Sequence, residues 1–307
     1  MTISRSKKPI SLLNSDNKIQ LIYLEHKMHI VADTYVVLNE ISRCRMGSVH
    51  LATHVKNRSV VAIKFVPTNV VQCFNNENVL QRIFCSRKRD QIDMTVGKLP
   101  AEFVFGTVCQ SPEIIRYDAC FIDQGCWAMV MEFPEGYSVL RDYVISHGPL
   151  DLSSLYKIAK QLAAALNTCV VNGVDHRDLS QDNILYNPET KRIKLVGLGH
   201  ATSLSYSKEP YKAPKDCNNL PPEATKYGVC SPLQTLVWKF GSILHYCMVG
   251  AGRLSRLSGG SGTGGRSPSS LSSSNNPIEF IIRRCLDQDP RTRILFSNLQ
   301  KHIHQHM

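Results

Sequence analysis

Residues 174–185, Val-Asp-His-Arg-Asp-Leu-Ser-Gln-Asp-Asn-Ile-Leu, gather the side chains of this 307-residue chain best suited to chemistry. Asn183 lies five residues after Asp178, far enough for a loop to turn back and offer a carboxamide oxygen to a hard cation such as Mg²⁺. The elements around this loop are legible. Leu155, Ile158, Leu162, Leu166 and Cys169 recur at helical spacing from Ser153 onward, and Gly173 supplies a helix stop, so a helix delivers the chain to His176. Asn183 to Leu185 opens an apolar, strand-like run, and Arg192 to Val196 reads as a short strand before Gly197. A second reactive group, Lys64, closes the run Val60-Val61-Ala62-Ile63-Lys64; alone, it reads as the solvated end of a strand.

The loop resembles the catalytic loop of protein kinases, His-Arg-Asp-Leu-x-x-x-Asn, carried here by His176, Arg177, Asp178 and Asn183. The resemblance implies that Asp178 accepts the proton of an acceptor hydroxyl, that Asn183 holds Mg²⁺, and that His176 and Arg177 are structural. Val60 to Lys64 is similar to the kinase strand whose lysine pairs with the α- and β-phosphates of ATP. Glu77 is the only acidic residue between Phe65 and Arg89, which makes it the expected helix carboxylate for Lys64, with Leu80 and Phe84 on the same helix face. Trp127 to Glu135 resembles the fifth strand running into the hinge between lobes, with Met131 as gatekeeper. Ile41, Gly47, Val49, Ala62 and Glu132 complete the implied ATP-binding set. Pro134 lacks the backbone donor that most hinges offer to adenine.

Pim-type Ser/Thr kinases share the Glu-x-Pro-Glu spelling of that hinge. Pro221-Pro222-Glu223 resembles the end of their activation segment, and Leu236-Val237-Trp238-Lys239-Phe240-Gly241 resembles the buried helix that follows, with Leu236 where most kinases have an aspartate bracing the catalytic loop. Cys285-Leu286, Asp289-Pro290 and Arg293 look like the closing helices, so the resemblance implies a buried, architectural ion pair between Glu223 and Arg293.

Four departures bear on catalysis. The glycine-rich loop is replaced by Ser42-Arg43-Cys44-Arg45-Met46-Gly47, where only Gly47 survives and Arg43 or Arg45 could attract phosphate. Gly197 replaces the aspartate that would bridge Mg²⁺ to the phosphates, leaving Asn183 alone to hold the metal. Ser180 stands where Ser/Thr kinases carry a lysine near the γ-phosphate, and Leu198 replaces a phenylalanine.

The expected fold is α+β and bilobal: a basic extension over 1–34, a small β-rich lobe over 35–133 and a larger helical lobe over 134–307. Residues 250–276 hold 7 Gly and 9 Ser among 27, the composition of a flexible linker. Within it Arg253 to Ser258 resembles a site for basophilic kinases, a string that Ser-rich linkers also generate freely. The net charge of +11 has local sources in Arg5, Lys7 and Lys8 and in Arg87-Lys88-Arg89, but no stacking aromatics interleave them, so they read as solubilising rather than nucleic-acid-binding. The apolar stretch from Leu233 to Gly250 contains Lys239 and His245 and reads as a buried helix, not a membrane span. There is no N-terminal apolar segment of the secretory type, and the 11 cysteines form no Cys-x-x-Cys pair, which points to an intracellular, reducing compartment. His302, His304 and His306 alternate without carboxylate or thiol company and do not read as a metal site.

Two functions follow. The first is an impaired kinase homologue, monomeric, acting by binding a kinase, a substrate or a regulator. The alternative is an active Ser/Thr protein kinase that transfers the ATP γ-phosphate with weak or unusual metal dependence.

Overall fold

The computed structural model describes residues 29–44, 46–74, 98–204, 211–212, 219–250 and 276–306. The basic extension before residue 29, Arg45, Glu77 with Leu80 and Phe84, the run 87–89 and residues 251–275 of the Gly/Ser-rich segment lie outside them.

The strands are β1 (His29–Val31), β2 (Tyr35–Cys44), β3 (Gly47–His54), β4 (Val60–Pro67), β5 (Cys73–Phe74), β6 (Leu99–Pro100), β7 (Tyr117–Asp123), β8 (Cys126–Glu132), β9 (Ser138–Val139), β10 (Val174–Asp175), β11 (Ile184–Asn187), β12 (Arg192–Leu195), β13 (Thr202–Ser203), β14 (Tyr211–Lys212) and β15 (Val229–Cys230). The helices are α1 (Ala101–Val108), α2 (Leu140–His147), α3 (Leu152–Val171), α4 (Pro222–Tyr227), α5 (Pro232–Val249), α6 (Pro277–Cys285) and α7 (Phe296–His306). An antiparallel six-stranded sheet, ordered β1-β2-β3-β4-β8-β7, forms the N-terminal part, and helices dominate the C-terminal part. This is the α+β, two-lobed arrangement expected from the sequence.

Alternation along the strands decides what each face of the sheet presents. Ala62 and Val66 of β4 join Met129 and Met131 of β8 in one apolar cluster that also takes Phe103 and Val104 of α1, whereas Val61, Ile63, Ala128 and Val130 fill a cluster on the opposite face. Lys64, even-numbered and opposite Met129 in the β4–β8 ladder, therefore lies on the α1 face. Lys64 is only 8% exposed, so it is not the solvated strand end that the strand pattern alone suggests.

The C-terminal core is built on α3 and α5. Asp151 caps α3 by accepting from the Ser154 backbone N–H at 2.7 Å. The helix ends at Asn172, followed by Gly173 at φ +68°, a left-handed turn that glycine adopts without strain. Leu155, Ile158, Leu162 and Leu166 pack with Val237, Phe240, Ile243 and Leu244 of α5. Among the described residues no helix is long and apolar enough to cross a membrane.

Candidate active site

The catalytic-loop residues sit between two short ladders. Val174 and Asp175 pair with Ser203 and Thr202, and Ile184 to Asn187 pair with Leu195 to Arg192, so the loop from His176 to Asn183 is pinned at both ends. His176 is fully buried and directs Nε2 to the Val196 carbonyl at 3.1 Å; that acceptor places the ring proton on Nε2. Burial pushes the His176 pKa below its ordinary value and keeps the ring neutral. Arg177 adopts φ +59°, and its backbone N–H donates to Asp175 Oδ1 at 3.2 Å. The Asp178 N–H donates to the His176 carbonyl at 2.7 Å, closing the turn that presents the Asp178 carboxylate.

Asn183 turns back on Asp178. Its Nδ2 donates to the Asp178 carbonyl at 2.7 Å and to Asp178 Oδ2 at 2.9 Å. Its Oδ1 lies toward Gly197, which has φ +81° and ψ 42° and starts the single turn Leu198–His200. A Cβ at position 197 would collide with that carboxamide, so Asn183 fills the space that a side chain there would use. Leu198 is fully buried in the C-terminal core and substitutes by volume for a larger apolar residue.

The carboxylate partner of Lys64 is Glu102, and the expectation of Glu77 is corrected accordingly. Lys64 Nζ donates to both Glu102 oxygens at 2.7 Å, with the two side chains 11% and 6% exposed. Glu102 reaches the amine because it stands in the first turn of α1, whose entry is held by the Ala101 N–H donating to the Gln72 carbonyl at 2.8 Å. Residues 75–97 lie between the strand and this helix, so counting from Lys64 leads to the wrong acid. The signal available was Leu99-Pro100-Ala101-Glu102 followed by Phe103, Val104, Phe105 and Val108: a proline, an acidic first turn and an apolar helix face. Gly199 lies beside this pair, and a Cβ there would come within 3.0 Å of Glu102 Oε2.

Ala62 and Met131 belong to the apolar cluster on the α1 face, with Val49, Met46, Phe133 and Val196 packed against it. Ile41, on β2, is 43% exposed. Gly47 pairs with Cys44 in the β2–β3 ladder, and a Cβ on it would strike the Phe65 carbonyl of β4; its lack of a side chain serves strand packing in the first place. Arg43 donates from Nε to Glu40 Oε1 at 3.0 Å, so its charge is compensated within its own strand. The Glu132 carboxylate is held in place, with Oε1 accepting from Lys194 Nζ at 2.6 Å and from the Arg116 N–H at 2.8 Å. That bond ties β8 to β12.

Two further contacts involve α4 and α5, and the second of them reaches the loop. Arg293 and Glu223 form the expected pair, with Nη1 to Oε1 at 2.6 Å and Nη2 to Oε2 at 2.8 Å; the guanidinium is fully buried and stacks over the Trp238 ring at 5.0 Å. Leu236 is buried and brings no brace, but Lys239, one turn further along α5 and 4% exposed, donates from Nζ to the Arg177 carbonyl at 3.0 Å. A lysine inside an apolar helix was the sequence sign of this contact.

Mg²⁺ requires near-octahedral oxygen coordination and is usually held by one or two carboxylates together with phosphate and water. At this site Asp178 Oδ2 accepts from Asn183, Asn183 fills the space beside Gly197, and position 197 brings no carboxylate. The donor set does not fit the metal that the catalytic loop implies. Beside it stand an apolar cluster and a buried, ion-paired lysine.

The protein kinase domain family model matches residues 35–304, and the chain belongs to this family. It is 28% identical over 223 residues to protein kinase kin1 of Schizosaccharomyces pombe, covering 72% of this chain and 24% of that protein. It is 26% identical over 175 residues to the Serine/threonine-protein kinase ppk25 of the same organism, covering 57% of this chain and 36% of that protein. Similarity to the Serine/threonine-protein kinase pim-2 of Danio rerio is 29% over 125 residues, 40% of each chain. The chain thus spans roughly a quarter to two fifths of the length of these relatives. It is a protein kinase domain resembling Ser/Thr kinases.

Proposed function

We propose that this domain is a catalytically impaired Ser/Thr kinase homologue that keeps a nucleotide pocket, lacks a competent Mg²⁺ site, and acts by binding a protein partner. The carrying observation is Gly197, whose missing carboxylate is replaced in space by the carboxamide of Asn183. Losing one stabiliser of transition-state charge typically costs about 10²–10³-fold in rate. Ser180, in the catalytic loop, stands where a second charge would be. The partner is a kinase, a kinase substrate or a regulator, engaged without group transfer. The free state of the described cysteines supports a reducing compartment. The Glu132-Phe133-Pro134-Glu135 hinge and the similarity to the zebrafish pim-2 protein support descent from Pim-type kinases.

The alternative, an active Ser/Thr kinase with unusual metal dependence, is favoured by one feature: Lys64, Glu102, Asp178 and Asn183 retain a mutually supporting geometry. Asp178→Asn separates the two. In phosphate-transfer assays with ATP and generic protein substrates, wild type and Asp178→Asn are expected to be indistinguishable, and partner capture is expected to be unchanged. Transfer that depends on Asp178 would overturn the binding reading.

A further inference from the structure

Glu102 is bound from two sides. In front, Lys64 takes both carboxylate oxygens; behind, the Tyr117 hydroxyl donates to Oε1 at 3.0 Å. Tyr117 belongs to β7, stands opposite Met131 of β8, and is 1% exposed. Its ring lies against Gly106, one helical turn beyond Glu102 on the same face of α1. Any Cβ at position 106 would overlap the ring carbons Cδ2 and Cε2. Phe103 meets the ring edge-on, with centroids 6.1 Å apart. Helix, strand and ion pair are thereby joined through one phenol.

We propose that Tyr117 is a positioning residue that clamps Glu102, and through it Lys64, in the ion-paired arrangement. Gly106 is the notch that admits the clamp. Helix α1 cannot carry Glu102 away from Lys64 without leaving a buried phenol and a buried carboxylate unpaired. The Lys64–Glu102 pair is therefore assembled in the chain by itself, with no partner or phosphate needed to draw α1 in. Burial and the neighbouring Glu102 charge push the Tyr117 ionisation well up, so the phenol stays a donor across the working range of pH. The functional consequence, a preset nucleotide lysine, rests on the nucleotide reading above; the clamp itself does not.

The test is lysine acylation of the full chain by an N-hydroxysuccinimide ester, read residue by residue by mass spectrometry. Lys239 serves as reference, since it is buried and bonded to the catalytic loop. In Tyr117→Phe, which keeps the ring and removes the hydroxyl, Lys64 labelling is expected to rise about 3- to 10-fold while Lys239 stays unchanged. Gly106→Ala is expected to expose Lys64 in the wild-type background and to have little effect in the Tyr117→Leu background, where the notch is no longer filled by the ring. Unchanged Lys64 labelling in Tyr117→Phe, or Lys64 and Lys239 rising together, would overturn the clamp. ATP affinity measured on the same samples bears separately on the nucleotide reading: a wild type that binds no ATP sinks that reading while the Lys64 labelling still decides the clamp.

Discussion

Asn183 lays its carboxamide in the space that a side chain at position 197 would occupy. Gly197→Asp therefore has two opposed effects. The new side chain must displace Asn183 from its bonds to Asp178 and must itself adopt φ +81°, which aspartate tolerates better than most residues but at a cost. Stability is expected to fall by about 1–3 kcal/mol, measured by denaturant unfolding. At the same time the carboxylate supplies the missing metal ligand, so ATP binding is expected to become Mg²⁺-dependent. An unchanged Mg²⁺ response would show that Gly197 is not the principal defect.

Glu223 and Arg293 are mutually dependent. Arg293 also donates from Nε to the Asp287 carbonyl at 3.0 Å, and its fully buried guanidinium has no aqueous refuge once Glu223 is gone. Glu223→Leu alone is expected to cost about 3–5 kcal/mol, and the double variant with Arg293→Met less than the sum of the two singles. Additive losses in a double-mutant cycle would contradict a coupled pair.

The acid limb of the stability curve should carry the buried histidines. Burial lowers the pKa of both His176 and His245 below the ordinary value of 6.5, and His245 Nδ1 is buried with no hydrogen-bond partner among the described residues. Below about pH 6.5 the unfolded chain takes up protons that the folded chain refuses, so stability falls as pH decreases through that window. His245→Leu is expected to flatten the fall in Tm between pH 7 and pH 5. An identical pH dependence in wild type and variant would show that His245 does not contribute.

What could be seen in the sequence was what is local in the chain. His176 to Asn183 and the strand ending at Lys64 are contiguous, so their types and spacing announce them before any fold is known. Glu223 and Arg293 are far apart but each sits in a recognisable string. Glu102 was hidden because the segment between strand and helix is long, and proximity in sequence then selects Glu77. Tyr117 and Gly106 were invisible for another reason: their relation is a shape match across a helix and a strand, and neither residue type signals it alone. Lys239 carried a sign, a cation amid apolar residues, but its target, a backbone carbonyl of a left-handed residue, is a property of the folded loop.

The central claim, a nucleotide pocket without a competent metal site, is tested most directly by thermal unfolding with saturating ATP in the presence and absence of Mg²⁺. A ligand at about 100 times its Kd adds roughly 2.7 kcal/mol of stability, which is several degrees for a domain of this size. The account predicts a rise in Tm with ATP in EDTA that Mg²⁺ does not enlarge. A rise that appears only with Mg²⁺, or grows markedly with it, would mean that Asp178 and Asn183 hold the metal without a carboxylate at position 197, and would contradict it.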